Sequence, residues 1–265
     1  MRRMVLLLAL AACDRVLGLQ DVPSRDAGAC WSGAITTHDE DGDGIADGCD
    51  NCPADANPDQ QDDDRDGVGD ACDPYRNDPH DRLAFFDPFV APDPAWRTVG
   101  APQWMHGPDE VSVDATNAAG IYLLAIPYND PTIEFVTMGQ IEVAGDVTTV
   151  GGWTDIAPDT HATNPDGLIC DFNMNRKMGA NVNGVVIAHY VSGTAIDTAY
   201  ANLGTGAQMT MWIEGDGTCL AQRDGTRVQA HLAGPVVTGA NQAVGLWANG
   251  SPATFTSATV IERVP

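Results

Sequence analysis

The feature that most constrains this chain is a twelve-residue acidic sequence that occurs twice. Residues 39–50 read DEDGDGIADGCD and residues 62–73 read DDDRDGVGDACD, with seven of the twelve positions identical. Both copies carry acidic residues at positions 1, 3, 5, 9 and 12, glycine at position 6 and an aliphatic residue at position 7. A chain with this spacing can wrap around a cation, because oxygens at positions 1, 3, 5 and 7 converge when the glycine turns sharply. The sequence therefore predicts two metal-binding loops, called the first loop and the second loop below.

Electrostatics favours a bound cation in this segment. Residues 38–81 carry 16 acidic side chains against two arginines. Two carboxylates about 4 Å apart repel each other by about 4 kcal/mol at an effective dielectric constant of about 20, so convergence of several needs a cation. Calcium is favoured over magnesium because it accepts about six to eight oxygens at variable geometry. Zinc is disfavoured because the sequence has no paired histidines. The alternative is a solvated acidic linker that binds no ion.

The segment is not an EF-hand, although the loop spacing is the same. An EF-hand needs a helix on each side and usually a glutamate at position 12. Here position 12 is Asp50 or Asp73, and prolines 53, 58 and 74 flank the loops. Because proline breaks a helix, no helix is expected on either side.

The segment closely resembles the thrombospondin type 3 repeat. Residues 39–53 match the pattern DxDxDGxxDxxDNCP, and residues 57–73 match NxDQxDxDxDGxGDxCD. The resemblance covers residues 38–76 and implies a compact unit, almost without a hydrophobic core, that is held together by calcium and disulfides. The family forms long arrays, whereas this chain has two copies of the loop, so the rigid rod of a long array is not expected.

The resemblance also implies ligands and disulfide partners. Two or more calcium ions are expected, and the implied ligands are side chains at positions 1, 3, 5, 9 and 12 with the carbonyl of position 7. These are Asp39, Asp41, Asp43, Ile45, Asp47 and Asp50 in the first loop, and Asp62, Asp64, Asp66, Val68, Asp70 and Asp73 in the second. The family pairs Cys52 with Cys72, and Cys30 with Cys49 follows by the same spacing.

Net charge and cysteine content limit the partners and the compartment. The chain has 37 acidic against 13 basic residues and a net charge of −24. This argues against nucleic acid as a partner, because binding a polyanion needs a basic surface. Seven cysteines and a single lysine, Lys177, are typical of an oxidising compartment.

The N-terminus predicts export. Arg2 and Arg3 precede a nine-residue apolar run, Met4 to Ala12, which is too short to span a bilayer of about 30 Å and is typical of a signal peptide. Residues 10–13, LAAC, resemble a bacterial lipobox, in which Cys13 becomes acylated and holds the protein on a membrane. Acylation of Cys13 would leave six cysteines, which can pair completely. The alternative is ordinary cleavage at residues 9–11, which gives a secreted or periplasmic protein.

The C-terminal 180 residues predict an all-β sandwich. Glycine, threonine, valine and alanine are frequent there, and no stretch keeps a period of 3.6 residues. Strand-like segments alternate with turns rich in glycine, asparagine, aspartate and proline. The segments are Gly120 to Ile126, Thr132 to Val143, Gly184 to Tyr190, Gln208 to Ile213, Arg227 to Leu232 and Phe255 to Val260.

The two ends of this domain resemble the first and last strands of a concanavalin A-like jelly roll of the laminin G-like kind. The resemblance rests on residues 85–104, which include FFDPF, and on residues 243–260, which include AVGLW. It implies that the terminal strands lie side by side in one sheet. Cys170 and Cys219 are the simplest third disulfide.

No catalytic constellation stands out in the sandwich. Related glycosidases carry an ExDxE-type triplet, and none occurs here. Trp153 is the candidate platform for a sugar ring, whereas Trp96, Trp104, Trp212 and Trp247 occupy strand-like positions and are predicted to lie in the core. An enzyme built from residues of separate strands remains an alternative.

The sequence thus predicts four segments. They are a signal peptide (1–12), a tether (13–37), calcium-binding type 3 repeats (38–82) and a jelly-roll sandwich (83–265). The predicted protein is an outer-membrane or cell-surface lipoprotein that binds calcium and adheres to a surface glycan or a protein. The alternatives are an envelope enzyme acting on polysaccharide and a passive spacer.

Overall fold

A computed structural model describes the two acidic loops and the strands of the C-terminal domain. The described residues are 30, 37–117, 120–128, 131–138, 147–155, 167–175, 182–191, 194–202, 209–214, 217–223, 226–234, 242–250 and 252–264. Cys13, the signal peptide and most of the tether lie outside these residues. No helix in the described part is long and apolar enough to cross a membrane.

The described regular structure is one short 3-10 helix, Asp47–Cys49, and fifteen strands. The strands are β1 (Asp81–Asp87), β2 (Trp96–Gly100), β3 (Trp104–Gly107), β4 (Glu110–Asp114), β5 (Gly120–Tyr128), β6 (Pro131–Met138), β7 (Val147–Asp155), β8 (Gly167–Asn175), β9 (Val182–Val191), β10 (Thr194–Asn202), β11 (Met209–Glu214), β12 (Thr218–Arg223), β13 (Thr226–His231), β14 (Gln242–Asn249) and β15 (Pro252–Arg263). All six segments predicted as strands coincide with strands of the structure. The second, predicted to reach Val143, ends as β6 at Met138, and residues 139–146 lie outside the described residues.

The strands form two antiparallel sheets. One has the order β13-β12-β11-β6-β15-β4-β3, with β1 also paired to β15, and the other has the order β10-β9-β8-β7-β14-β5-β2. The chain crosses between the sheets repeatedly, for example from β5 to β6 and back to β7. This arrangement confirms the predicted all-β jelly-roll sandwich. The terminal strands β1 and β15 pair side by side, with Asp81 opposite Arg263, as the resemblance implied.

The inner faces of the sheets bury one apolar core. Its largest fully buried side chains include Phe255, Leu124 and Ile213. Three tryptophans predicted to be core are 5–6% exposed, namely Trp96, Trp212 and Trp247. Trp104 is half-buried and stacks on Tyr122 with 5.1 Å between ring centroids.

The acidic repeat segment folds without strands and with little apolar core. No strand occurs among residues 37–80. Its buried cluster consists of Cys52, Val68 and Cys72, which pack against Ile261 of β15. Because this cluster is so small, apolar burial contributes little to the stability of the segment.

The acidic repeat segment continues directly into the sandwich. β1 begins at Asp81, two residues before the predicted start of the jelly roll at residue 83. The backbone N–H of Val264 donates to the carbonyl of His80 at 2.6 Å, and the Arg263 guanidinium donates to Asp78 at 2.6 Å. The two parts are therefore joined by contacts on both sides of the chain connection.

Three disulfides staple the chain. They join Cys30 to Cys49, Cys52 to Cys72 and Cys170 to Cys219. These are the pairs expected from the sequence. Two lie in the N-terminal segment, where the apolar cluster is small, and the third joins β8 in one sheet to β12 in the other.

Candidate metal centre

Asp39 sets the curvature of the first loop. Its two carboxylate oxygens accept hydrogen bonds from the backbone N–H groups of Gly42 at 2.9 Å and Gly44 at 3.1 Å. Gly44, at position 6, has a φ of +96°, a left-handed conformation that glycine adopts without a steric penalty. The loop therefore turns back on Asp39 at the glycine that the sequence singled out.

Positions 3 and 5 of the first loop are held by short side-chain turns. The Asp41 carboxylate accepts the N–H of Asp43 at 3.0 Å, and the Asp43 carboxylate accepts the N–H of Ile45 at 2.8 Å. These bonds to the backbone two residues ahead are the local turns that aspartate favours. The second Asp43 oxygen accepts the N–H of Asn57 at 2.8 Å. Each turn leaves position 3 or 5 facing the interior of the loop.

The second loop repeats this bonding 23 residues later. Asp62 accepts the N–H groups of Arg65 at 2.6 Å and Gly67 at 3.0 Å, and Asp66 accepts that of Val68 at 2.9 Å. Gly67 has a φ of +97°. The sequence repeat is therefore a structural repeat.

Positions 1, 3 and 5 of each loop converge. One carboxylate oxygen from each position lies within 4.8 Å of the other two. The converging residues are Asp39, Asp41 and Asp43 in the first loop and Asp62, Asp64 and Asp66 in the second. Because calcium–oxygen bonds are about 2.4 Å long, ligands on opposite sides of an ion are about 4.8 Å apart. Each triad thus fits around a single calcium ion.

Three buried carboxylate oxygens in the loops accept no hydrogen bond. They are the Oδ2 atoms of Asp41, Asp64 and Asp73. Asp41 and Asp64 both occupy position 3, so the same atom is left unpartnered in both loops. A buried polar atom without a partner costs about 1–3 kcal/mol, and more when it is charged. A cation bound in the loop would remove this cost, which is why the residues present fit calcium.

The position 9 carboxylates bond to the chain just inside the start of each loop. Asp47 accepts the N–H of Glu40 at 2.8 Å and contacts the His38 ring at 2.7 Å, and Asp70 accepts the N–H of Asp63 at 3.0 Å. These bonds close the loops. Asp47 and Asp70 are outside the converging triads, and their direct coordination of the ion stays a prediction.

The position 12 carboxylates are the most enclosed. Asp50 is 1% exposed and accepts hydrogen bonds from the N–H of Cys52 at 2.8 Å and the Gln60 amide at 2.7 Å. Asp73 is 8% exposed and accepts the N–H of Tyr75 through one oxygen, which leaves Oδ2 for a ligand. Direct coordination by these two residues, and by the carbonyls at position 7, also stays a prediction.

Burial makes the loop carboxylates hard to ionise without an ion. It raises the pKa of Asp41 and of Asp73 from 3.8 to about 7, and neighbouring carboxylates add to the effect. Burial also raises the pKa of Asp50, Asp64 and Asp66. The protein without calcium therefore holds protons where a metal ion would otherwise lie.

The calcium-free protein is expected to lose stability as the pH rises from about 4 to about 7. Asp41 and Asp73 titrate near 3.9 in an unfolded chain but with a pKa of about 7 in the folded one. Their stabilising contribution is complete below the unfolded pKa and is lost as the pH rises through the folded pKa. Denaturant unfolding in chelator at pH 5 and pH 8 measures the difference, which saturating calcium should remove. Higher stability in chelator at pH 8 than at pH 5 would contradict this expectation.

Sequence analysis assigned no role to Asn51, Asn57 and Gln60, yet they support both loops. The Gln60 amide bonds to Asp50 at 2.7 Å and to the Asn57 carbonyl oxygen Oδ1 at 2.9 Å, and the Asn57 amide donates to Asn51 at 2.7 Å. The Asn51 carbonyl accepts the N–H of Gly69 in the second loop at 3.0 Å. The signal was present, because Asn57 and Gln60 are the N and Q of the NxDQ pattern.

Trp153 lies in β7, where its backbone stands opposite Ile169 of β8 and Gly245 of β14. Its side chain lies outside the described atoms. Its role as a sugar platform therefore stays a prediction.

Comparison with known proteins identifies part of the acidic segment. The family of thrombospondin type 3 repeats matches residues 29–60. This match contains the first loop and ends two residues before the second. No curated protein matches the chain.

Solved structures similar to this chain are antiparallel sandwiches of low sequence identity. The Emp47p carbohydrate recognition domain has a TM-score of 0.48 and 14% identity over 65% of this chain and 90% of that one. A galectin-like protein of unknown function from Bacillus subtilis has a TM-score of 0.49 and 11% identity, covering 69% and 96%. The Bacillus licheniformis beta-glucanase has a TM-score of 0.46 and 12% identity, covering 66% and 96%. At this level of similarity no ligand or reaction is transferred.

Proposed function

We propose that the acidic repeat segment binds two calcium ions, one in each loop, and that these ions are structural. The observation that carries the proposal is the buried, unpartnered oxygen at position 3 of both loops, next to a converging triad. Repetition of the same unsatisfied atom 23 residues apart is expected of two equivalent ion sites. A solvated linker would instead leave its carboxylates exposed to water.

The chain holds the ions through local turns. Backbone N–H groups fix the triads before any ion arrives, so calcium binding needs little rearrangement. The bound ion supplies positive charge that offsets the repulsion among the carboxylates. By ligand type and loop openness we expect dissociation constants in the range of about 10⁻⁴ to 10⁻³ M, which is typical of extracellular calcium modules.

Calorimetric titration of the purified oxidised protein with calcium tests the proposal. We expect saturable binding of two ions to the wild type. Asp41→Asn and Asp64→Asn should each weaken one site at least tenfold, because the amide keeps the local turn but loses the charge. The double variant should bind neither ion at millimolar concentration.

Asp59→Asn is the matched control for these variants. Asp59 is exposed and lies between the loops, so its loss lowers the net charge equally without touching either site. Absence of saturable heat in the wild type would refute the proposal. Equal weakening by Asp59→Asn would show that calcium responds to overall charge and not to the loops.

For the sandwich we propose recognition of a surface glycan or a protein, with adhesion as the biological role. The supporting observation is a groove of about 580 Å³ beside the second loop, whose lining includes Tyr75, Arg76, Trp212 and Arg227. The Arg227 guanidinium lies 5.0 Å from the centre of the Trp212 ring. Aromatic and arginine side chains in a concave surface suit a polar ligand such as a sugar.

A glycan array probed with and without calcium tests this second role. Arg227→Ala should abolish the binding of any glycan that the wild type retains. Arg97→Ala, on the exposed face of β2 in the other sheet, is the control. Release of reducing sugar from a polysaccharide would favour the enzyme instead, and absence of any binding would favour the passive spacer.

We also propose that the protein is exported and anchored through a lipid on Cys13. The support is the charged and apolar N-terminal sequence, together with the pairing of the other six cysteines in disulfides. Labelled palmitate should be incorporated by the wild type and not by Cys13→Ser. Equal labelling of both, or of neither, would refute acylation at Cys13.

A further inference from the structure

Asp81 is a buried carboxylate with no hydrogen-bond partner. It is the first residue of β1 and is 2% exposed, and neither Oδ1 nor Oδ2 forms a hydrogen bond. The Nε of Arg263 lies 4.0 Å from its Oδ1, while the same guanidinium donates to Asp78 at 2.6 Å. Burial of such a group is costly unless a positive charge lies next to it.

The position of Asp81 places it beside the second loop. Its backbone N–H donates to Oδ2 of Asp66 at 2.8 Å. The charges that act on its carboxylate include those of Asp64 and Asp66, and Asp81 in turn acts on Asp73. The unpartnered buried oxygens of this region are Asp64 Oδ2, Asp73 Oδ2 and both of Asp81.

The first loop shows what normally occupies this place. There the N–H group that reaches the position 5 carboxylate belongs to Asn57, at 2.8 Å. The Asn57 side chain is already used, because it donates to Asn51 and accepts from Gln60. In the second loop the equivalent N–H comes from Asp81, whose side chain bears a charge and makes no hydrogen bond.

We propose that Asp81 is a ligand of the second calcium ion, which thereby joins the acidic repeat segment to the first strand of the sandwich. This inference rests on the proposed calcium function and extends it to a residue outside both loops. The second ion would be shared between the two parts of the protein.

This placement has a structural consequence at the edge of the sandwich. β1 pairs with β15 along its length, and Asp81 stands opposite Arg263. Ile261 of β15 closes the apolar cluster of the acidic repeat segment. An ion that holds Asp81 therefore secures the start of β1, and calcium binding at the second loop should be felt in the sandwich.

The test compares Asp81→Asn with Asp78→Asn in the full protein. Both changes remove one negative charge from the same stretch, but Asp78 is paired with Arg263 and has no unpartnered buried oxygen. We expect Asp81→Asn to weaken one of the two calcium sites at least tenfold and leave the other unchanged. Asp78→Asn should leave both affinities within about twofold of the wild type.

Thermal unfolding separates a ligand from a merely structural residue. With chelator, Asp81→Asn should melt at the wild-type temperature or higher, because a buried charge has been removed, and its gain on adding calcium should be smaller. A variant that melts lower in chelator but keeps the full calcium gain would show that Asp81 acts through Arg263, which overturns the proposal.

Hydrogen exchange tests the same point without changing Asp81. Calcium should slow exchange of the β1 amides in Asp41→Asn, whose second site is intact, and not in Asp64→Asn. Equal slowing in both variants would overturn the proposal. If Asp81→Asn binds two ions with wild-type affinity, this inference fails while the calcium function stands; if the wild type binds none, the calcium function itself fails.

Discussion

Removal of calcium is expected to expose the acidic repeat segment to proteolysis while the sandwich stays resistant. The segment has a buried cluster of four residues, whereas the sandwich core has 23. At a calcium concentration of about 100 times the dissociation constant, each site adds about 2.7 kcal/mol to the free energy of unfolding. Two sites thus supply about 5 kcal/mol, which is comparable with the whole stability of a small domain.

Limited digestion with an endoproteinase specific for acidic residues, followed by mass spectrometry, measures this effect. In calcium the cuts within residues 37–80 should be slowed at least tenfold relative to chelator. Magnesium at the same concentration is the control and should protect little, because it demands a strict octahedron and keeps its waters. Equal digestion in calcium and in chelator would contradict the expectation.

Loss of the Cys52–Cys72 disulfide is expected to be the most destabilising single change in the acidic repeat segment. The bond closes a loop with a sequence separation of 20, and such a loop contributes about 3 kcal/mol by restricting the unfolded chain. Both sulfurs also lie in the buried cluster with Val68 and Ile261. Replacement by alanine in Cys52→Ala, Cys72→Ala should therefore cost a further 1–3 kcal/mol, roughly, by leaving a cavity.

The Cys30–Cys49 disulfide offers a matched control. Its sequence separation is 19 and both cysteines are exposed, so Cys30→Ala, Cys49→Ala removes nearly the same loop entropy without opening a cavity. Denaturant unfolding in saturating calcium should rank the Cys52–Cys72 variant as the less stable of the two. An equal loss of stability in both would show that packing at Ile261 does not matter.

The parts of the fold that depend on local sequence could be predicted. Gly44 and Gly67 adopt the left-handed turns that their position in the repeat requires, and β5 and β9 follow from runs of β-branched and aliphatic residues. β8 and β10 were not predicted, because the polar residues of LICDFNMN and AIDTAYAN hide the strand pattern. The strand order within each sheet depends on pairings between distant segments, which local pattern does not contain.

The metal centre could be predicted in the same uneven way. The triads at positions 1, 3 and 5 follow from spacing alone, since each carboxylate bonds to the backbone two to five residues ahead. Asp81 could not be found, because it reaches the second loop only through the packing of β1 and β15. Asp47 was predicted as a ligand from the motif, and its hydrogen bonds to Glu40 and His38 became apparent only in the folded loop.

The most direct test of calcium binding is diffraction from crystals grown in calcium, with data collected at a long wavelength where calcium scatters anomalously. Two anomalous peaks should appear, one within about 2.3–2.6 Å of oxygens of Asp39, Asp41 and Asp43, the other at the same distance from Asp62, Asp64 and Asp66. Ordered loops with no anomalous peak in either, at a calcium concentration well above 1 mM, would contradict the account.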